Sequence, residues 1–116
     1  MKVIIVDDEP IARRTLRECC AAAPDLELIG EYGDGAAALE AIRTNPPELL
    51  FLDIQMDAMT GLQLARALPL ERLPMIVFVT AYDQHAVEAF ELNAIDYLLK
   101  PFDDARFNTT LERVRR

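Results

Sequence analysis

The chain begins with MKVIIVDDEP (residues 1–10), in which a short apolar run is followed at once by acidic residues and a proline. The run Val3–Val6 consists only of β-branched residues, which is typical of a strand buried on both faces of a parallel sheet. Pro10 favours a helix that begins there, because proline is tolerated in the first turn of a helix. The stretch therefore predicts a strand, an acidic loop and a helix, in that order.

The same alternation continues to the end of the chain. Further apolar runs predict strands at Leu26–Gly30, Leu49–Leu52, Met75–Val79 and Ala94–Leu99. Helical spacing predicts helices from Pro10 to about Ala23, at Ala36–Arg43, at Gly61–Leu68, at Gln84–Leu92, and from Asp103 to Val114. Five βα units with right-handed crossovers predict an α/β fold, (βα)5, with a doubly wound five-stranded parallel sheet and helices on both faces.

Composition limits the class of protein. A length of 116 residues with 52% hydrophobic residues suits one domain, residues 1–116, with a core of its own. No apolar run approaches the roughly 20 residues that cross a bilayer, and the acidic loop follows Lys2 too closely for a signal peptide. We therefore expect a soluble, cytoplasmic protein with no membrane partner. The net charge of −8 disfavours direct binding to DNA.

Polar residues follow four of the predicted strands at their carboxyl ends. Asp7 and Asp8 follow the first strand, Asp53 follows the third, Thr80 ends the fourth, and Lys100 follows the fifth. Because the carboxyl ends of parallel strands meet at one rim of the sheet, we expect these side chains to lie together.

Three aspartates in one small space repel each other unless cations compensate their charge. Lys100 supplies one cation, and a site of carboxylate oxygens suits Mg²⁺. Asp53 stands alone between apolar neighbours, which makes it the better nucleophile, whereas the pair Asp7 and Asp8 makes better metal ligands. Thr80 adds a hydrogen-bond donor for phosphoryl oxygens. The set therefore predicts phosphoryl transfer to Asp53.

The ordered motifs resemble the receiver domains of two-component response regulators, and the resemblance covers essentially the whole chain. It rests on Val6–Pro10, Leu52–Met56 with Met59–Gly61, Val79–Ala81 and Tyr97–Phe102. Within the family, Thr80–Asp83, Ala86–Glu91 and Ala94–Phe102 look most like the receivers of LytTR-type regulators. The resemblance implies the flavodoxin-like strand order 2-1-3-4-5, which is also known from a chemotaxis receiver.

The resemblance implies a role for each site residue. Asp53 would be the phosphoacceptor. Mg²⁺ would be bound directly by Asp8, Asp53 and the backbone carbonyl of Gln55, and by Asp7 mainly through water. The phosphoryl oxygens would be contacted by Thr80, Ala81 and Lys100. Thr80 and Tyr97 would form the switch, in which Thr80 moves toward the phosphoryl group and the Tyr97 ring turns inward. The Lys100–Pro101 peptide bond would be cis.

The resemblance also implies partners. A sensor histidine kinase would donate the phosphoryl group, and phosphorylation would favour a homodimer through the face of helix 4, strand 5 and helix 5. DNA would be bound only through a C-terminal LytTR output domain that is absent from this chain, which would then be an excised domain. Such a receiver is a signalling phosphoprotein in transcription regulation rather than an enzyme; it catalyses only its own phosphorylation and dephosphorylation.

Other functions stay open as alternatives. A Mg²⁺-dependent phosphohydrolase with an aspartyl nucleophile is disfavoured, because the first acidic cluster is Asp-Asp-Glu and 116 residues leave no substrate-binding cap. An interaction module without phosphorylation would be expected to lack site residues, and none is missing. The segment Gly33–Gly35 does not form the glycine-rich motif of dinucleotide-binding proteins.

Further expectations concern single residues. Asp57 stands where the family usually has proline, which should loosen the loop after Asp53 and add negative charge near the rim. We expect His85, the only histidine, to be exposed. Phe90, Phe107 and Leu111 are expected in the core or at an interface, with the core favoured.

Overall fold

The apolar runs form one parallel sheet in the computed structural model, in the order β2-β1-β3-β4-β5. The strands are β1 (Lys2–Val6), β2 (Glu27–Tyr32), β3 (Leu49–Leu52), β4 (Met75–Thr80) and β5 (Asp96–Leu99). The structure describes the backbone of residues 1–116 and every side chain except that of Leu70. The predicted fold and strand order are both confirmed.

Five helices connect and follow these strands. They are α1 (Pro10–Ala21), α2 (Gly35–Thr44), α3 (Gly61–Ala67), α4 (Ala86–Glu91) and α5 (Asp104–Val114), and a short 3₁₀ turn spans Leu70–Arg72. Helix α4 is shorter than predicted at both ends, and Asn93 adopts a left-handed conformation (φ 62°) shortly after it. Strand β2 extends past Gly30 because Glu31 and Tyr32 still pair with Ile5 and Val6 of β1. Among the described residues no helix is long and apolar enough to span a membrane.

Side chains of successive strand residues point to opposite faces, so the sheet has two apolar layers. On one face, Ile4, Leu50 and Phe78 pack with residues of α2, α3 and α4. On the other face, Phe51 and Val79 pack with α1 and α5. Both faces of the sheet are thus covered, which leaves the carboxyl ends of the strands as the accessible edge.

The core predictions hold for α5 and fail for α4. Phe107 and Leu111 are buried, each 3% exposed. Phe90 is 58% exposed, so its prediction as a core residue is wrong. The reason is that the short α4 has only Ala89 buried against the sheet. Phe90 and its neighbour Val87, three residues apart on the helix, lie on its outer side.

A buried charge on β5 was not predicted from the sequence. Asp96 is 2% exposed and accepts hydrogen bonds from Arg106 Nη1 at 2.8 Å, Arg113 Nη1 at 2.6 Å and Thr110 Oγ1 at 2.7 Å. Burial alone would raise the pKa of the Asp96 carboxyl, but the hydrogen bonds from Arg106, Thr110 and the Tyr97 N–H lower this pKa to about 2. The cluster ties α5 to the edge strand of the sheet.

We expect Asp96 to make the fold sensitive to acid. Because its pKa is lowered in the folded chain, the ionised carboxylate stabilises the fold above pH 4, and this stabilisation is lost as the pH falls toward 2. At pH 6, the free energy of unfolding measured in urea should be lower for Asp96→Asn than for the wild type. That difference should shrink by about 1 kcal/mol at pH 3.

The matched control for this experiment is Asp25→Asn. Asp25 also accepts two hydrogen bonds from an arginine of the C-terminal region, Arg115, but both partners are exposed to solvent. Solvent screens such a pair, so its removal should change the free energy of unfolding little at either pH. A constant difference between the wild type and Asp96→Asn from pH 6 to pH 3 would contradict the prediction.

Candidate functional site

The carboxyl ends of four adjacent strands form one rim. The N–H of Asp53 donates to the carbonyl of Val6 at 2.9 Å, which holds the end of β3 beside the end of β1. The N–H of Lys100 donates to the carbonyl of Thr80 at 2.8 Å, which holds the end of β5 beside that of β4. The backbone thus brings the loops after these strands to one place.

Three carboxylates meet at this rim. Asp7, Asp8 and Asp53 each offer an oxygen, and the three oxygens lie within 4.8 Å of one another. Asp7 is 1% exposed and Asp53 is 4% exposed, whereas Asp8 is half-buried. A cleft of about 260 Å³ opens over them, lined by Asp8, Glu9, Asp53, Gln55, Ala81, Tyr82 and Lys100. Solvent therefore reaches the acids through this cleft.

Lys100 lies among the acids. Its Nζ is 2.7 Å from Asp7 Oδ2, 2.9 Å from Glu9 Oε1 and 3.4 Å from Asp53 Oδ2. Burial lowers the pKa of Lys100, but the close carboxylates of Asp7 and Glu9 and the charge of Asp53 outweigh this effect, so the pKa lies above its ordinary value. Lys100 is therefore a permanent cation at this site.

One ammonium does not neutralise the cluster. Burial and the neighbouring charge of Asp7 raise the pKa of Asp53, although Lys100 and the Thr80 hydroxyl oppose this shift. Burial and the charges of Asp7 and Asp57 likewise raise the pKa of Asp8. Burial is the larger cause of both shifts, and the like charges of Asp7 and Asp57 add to it, so a further cation at the rim would be favourable.

The donor set fits a divalent metal ion. Asp7 Oδ2 is buried and accepts no hydrogen bond of good geometry from the described residues, although Lys100 Nζ is close. The candidate ligands are hard carboxylate oxygens, which Mg²⁺ and Ca²⁺ prefer, and a half-open cleft leaves room for the waters that Mg²⁺ retains. Asp7, Asp8 and Asp53 could therefore hold such an ion.

The other predicted residues lie around this centre. The N–H of Gln55 donates to Asp53 Oδ1 at 3.4 Å, and Ala81 lines the cleft. Thr80 is fully buried, and its Oγ1 accepts a hydrogen bond from the N–H of Tyr82 at 3.4 Å. The Lys100–Pro101 peptide bond is cis.

Tyr97 already lies inward in this structure. Its ring is 9% exposed, and its hydroxyl donates to the backbone carbonyl of Tyr82, just past Thr80 on the same loop. The loop after β4 is thus attached to β5 through this side chain. Inward movement of the ring as part of a switch stays a prediction.

The loop after Asp53 carries the departure from the family pattern. Asp57 is exposed, and its charge acts on Asp8, as the sequence suggested. The next residue, Ala58, has a φ of 64°, a left-handed conformation that is strained for residues with a Cβ. The looser loop expected from Asp57 stays a prediction.

Sequence reasoning missed several contacts of this site. Glu9 pairs with Lys100, and the Arg13 Nη1 donates to the carbonyl of Asp7 at 2.6 Å. His85 is half-buried, so the expected exposure is wrong; its ring contacts Gln55 at 3.5 Å and Glu88 at 3.3 Å. The i,i+3 spacing of His85 and Glu88 could have signalled their contact, whereas Glu9–Lys100 and Gln55–His85 join loops that only the folded sheet brings together.

Comparisons with known proteins agree with one another. Residues 3–112 match the family described as the response regulator receiver domain. The chain is 47% identical over 115 residues to the transcriptional regulatory protein BtsR of Escherichia coli K12, an alignment that covers 99% of this chain and 48% of that protein. The chain thus spans about half the length of the curated relatives it matches.

Solved structures give the same result. The response regulatory domain of the protein mrkE from Klebsiella pneumoniae is 38% identical with a TM-score of 0.91, and the match covers 99% of this chain and 95% of that one. The REC domain of AraT, a response regulator from Geobacillus stearothermophilus, is 36% identical with a TM-score of 0.85, covering 98% of this chain and 92% of that one.

Proposed function

Because this chain belongs to the response regulator receiver domain family, we propose that it is a signalling switch that accepts a phosphoryl group on Asp53 in the presence of Mg²⁺. The observation that carries the proposal is the gathering of three aspartate oxygens within 4.8 Å of one another beside Lys100. A sensor histidine kinase would be the donor, and the site would work in the cytoplasm.

In this proposal Asp53 is both the nucleophile and a metal ligand. An Asp53 oxygen forms a bond to phosphorus while the bond from phosphorus to the donor nitrogen breaks, and the donor leaves with that electron pair. Asp8, Asp53 and the Gln55 carbonyl would hold the metal ion directly, and Asp7 would hold it mainly through water. When bound, Mg²⁺ neutralises charge on the phosphoryl oxygens and on the carboxylates.

The remaining residues stabilise the transferring group. Lys100 already lies 3.4 Å from Asp53 Oδ2, so its ammonium is placed to pair with a phosphoryl oxygen. The Thr80 hydroxyl and the Ala81 N–H, at the end of β4, donate to the other oxygens. A shift of Thr80 toward the phosphoryl group would change the loop that Tyr97 contacts, which couples phosphorylation to β5.

The signal would leave through the face of α4, β5 and α5. Val87, Phe90 and Leu99 on this face are 70%, 58% and 43% exposed, which supports a homodimer that covers them on phosphorylation. The output would be a DNA-binding domain of the LytTR type in a longer protein. The length of the relatives and the transcriptional role in the name of BtsR support a further domain that acts in transcription, and the LytTR type rests on the resemblance alone.

The test is intact-mass measurement of the 116-residue chain after incubation with a small phosphodonor and Mg²⁺. We expect one added phosphoryl group per chain, and none when a chelator removes Mg²⁺. Continuous release of phosphate from free phosphoesters over many turnovers, without a stoichiometric adduct, would favour the phosphohydrolase instead.

A further inference from the structure

Arg13 and Gly33 lie next to the acidic loop, and neither of them lines the cleft described above. Arg13 is in the first turn of α1, and Gly33 follows β2. The Arg13 Nη1 donates to the backbone carbonyl of Asp7 at 2.6 Å. The N–H of Asp7 in turn donates to the carbonyl of Tyr32 at 3.0 Å, one residue before Gly33. Both backbone polar groups of Asp7 are thus fixed from this side.

Gly33 provides the space for the guanidinium. A Cβ built on Gly33 would lie 2.8 Å from Arg13 Nη1 and 3.7 Å from the carbonyl oxygen of Asp7. No side chain fits there without moving the guanidinium. The φ of Gly33 is not positive, so conformational freedom does not explain a glycine at this position. The requirement is the close approach of Arg13.

We propose that Arg13, seated against Gly33, is a positioning residue that sets the metal-binding geometry of Asp7 and Asp8. The inference rests on the proposed function, in which these two carboxylates take part in Mg²⁺ binding. The hydrogen bond from the charged guanidinium to the Asp7 carbonyl restrains the backbone of the acidic loop. The carboxylates are therefore already held in place before the ion binds.

The charge of Arg13 and its positioning role predict opposite effects on Mg²⁺ binding. Arg13 is a cation near a cation site, so its charge alone would weaken Mg²⁺ binding, and removing it would strengthen binding. A positioning role predicts that removing Arg13 weakens binding despite the lost repulsion. The sign of the change in affinity therefore separates the two roles.

The variants follow from the geometry. Arg13→Met removes the hydrogen bond and keeps an unbranched side chain, and Gly33→Ala displaces the guanidinium without changing any charge. Arg14→Met is the matched control: Arg14 lies on the same helix, and its Nε pairs with Glu18 at 3.1 Å, whereas Arg17 shares the partner Glu31 with Arg13. The control removes the same charge as Arg13→Met and leaves the Asp7 contact intact.

The experiment is calorimetric titration of the 116-residue chain with MgCl₂, with urea unfolding in a chelator as the measure of stability. We expect Arg13→Met and Gly33→Ala each to raise the Kd for Mg²⁺ roughly tenfold. Arg14→Met should leave the Kd unchanged or slightly lower. The double variant should bind as Arg13→Met does, because the alanine acts only through the guanidinium.

Each other outcome overturns a specific claim. If the wild type binds Mg²⁺ and Gly33→Ala binds it equally well, the positioning role is wrong while the proposed function stands. The role is also wrong if the effects of the two substitutions on the Kd are additive in the double variant. It is wrong, too, if the Kd of each variant rises in proportion to its loss of free energy of unfolding, measured with a chelator present. If the wild type binds no Mg²⁺, both the proposed function and this inference fall.

Discussion

Asp53→Asn is expected to abolish phosphoryl uptake. The asparagine amide is nearly isosteric with the carboxylate but is a poor nucleophile, so no stable phosphoryl adduct forms on it. The substitution also removes an acid whose pKa is raised by burial and by Asp7, so the fold should tolerate the loss of this charge. The measurement is intact mass after incubation with a small phosphodonor and Mg²⁺, with circular dichroism to verify folding.

Asp57→Asn is the matched control for Asp53→Asn. It makes the same chemical change four residues later, in an exposed side chain whose charge reaches Asp8. The control chain should still gain one phosphoryl group, even if its rate differs from that of the wild type. A folded Asp53→Asn chain that gains a full equivalent of phosphoryl group would remove Asp53 from its proposed role.

Much of the fold could be predicted because its signals are local. Runs such as Leu49–Leu52 and Met75–Val79 are apolar throughout. Such a run indicates a buried parallel strand even when the positions of the neighbouring strands are not known. The placement of Asp7, Asp53 and Lys100 at one rim followed from topology, since each follows a strand directly. Their roles in phosphoryl transfer stay predictions.

The missed features depend on how elements pack. Asp96 lies in a strand, and its partners Arg106 and Arg113 lie on a helix whose rotation over the sheet no local pattern gives. The exposure of Phe90 follows from the shortness of α4, which buries little besides Ala89. The contact between Arg13 and Asp7 likewise joins residues whose distance is set by the packing of α1 on the sheet.

Gly61→Ala is expected to destabilise the fold severely. Gly61 begins α3, and a Cβ there would lie 2.1 Å from the carbonyl oxygen of Asp53 and 3.0 Å from the Cα of Ile54. The obstacle is backbone, which cannot move aside as a flexible side chain can. The N–H of Gly61 also donates to the carbonyl of Ile54 at 2.9 Å, so retreat of α3 would break this bond. We expect urea unfolding to show a loss of about 3 kcal/mol or more.

Gly35→Ala separates this clash from any general effect of alanine at a helix start. Gly35 begins α2 as Gly61 begins α3, and both follow an N-cap residue whose side chain accepts a backbone hydrogen bond. A Cβ on Gly35 would lie 3.1 Å from the Cβ of Met59 and 3.3 Å from its Cγ and Sδ, so Met59 would have to move by only a few tenths of an ångström. This control should lose about 1 kcal/mol or less. Equal stability of the two variants would mean that the loop after Asp53 is free to move away from α3.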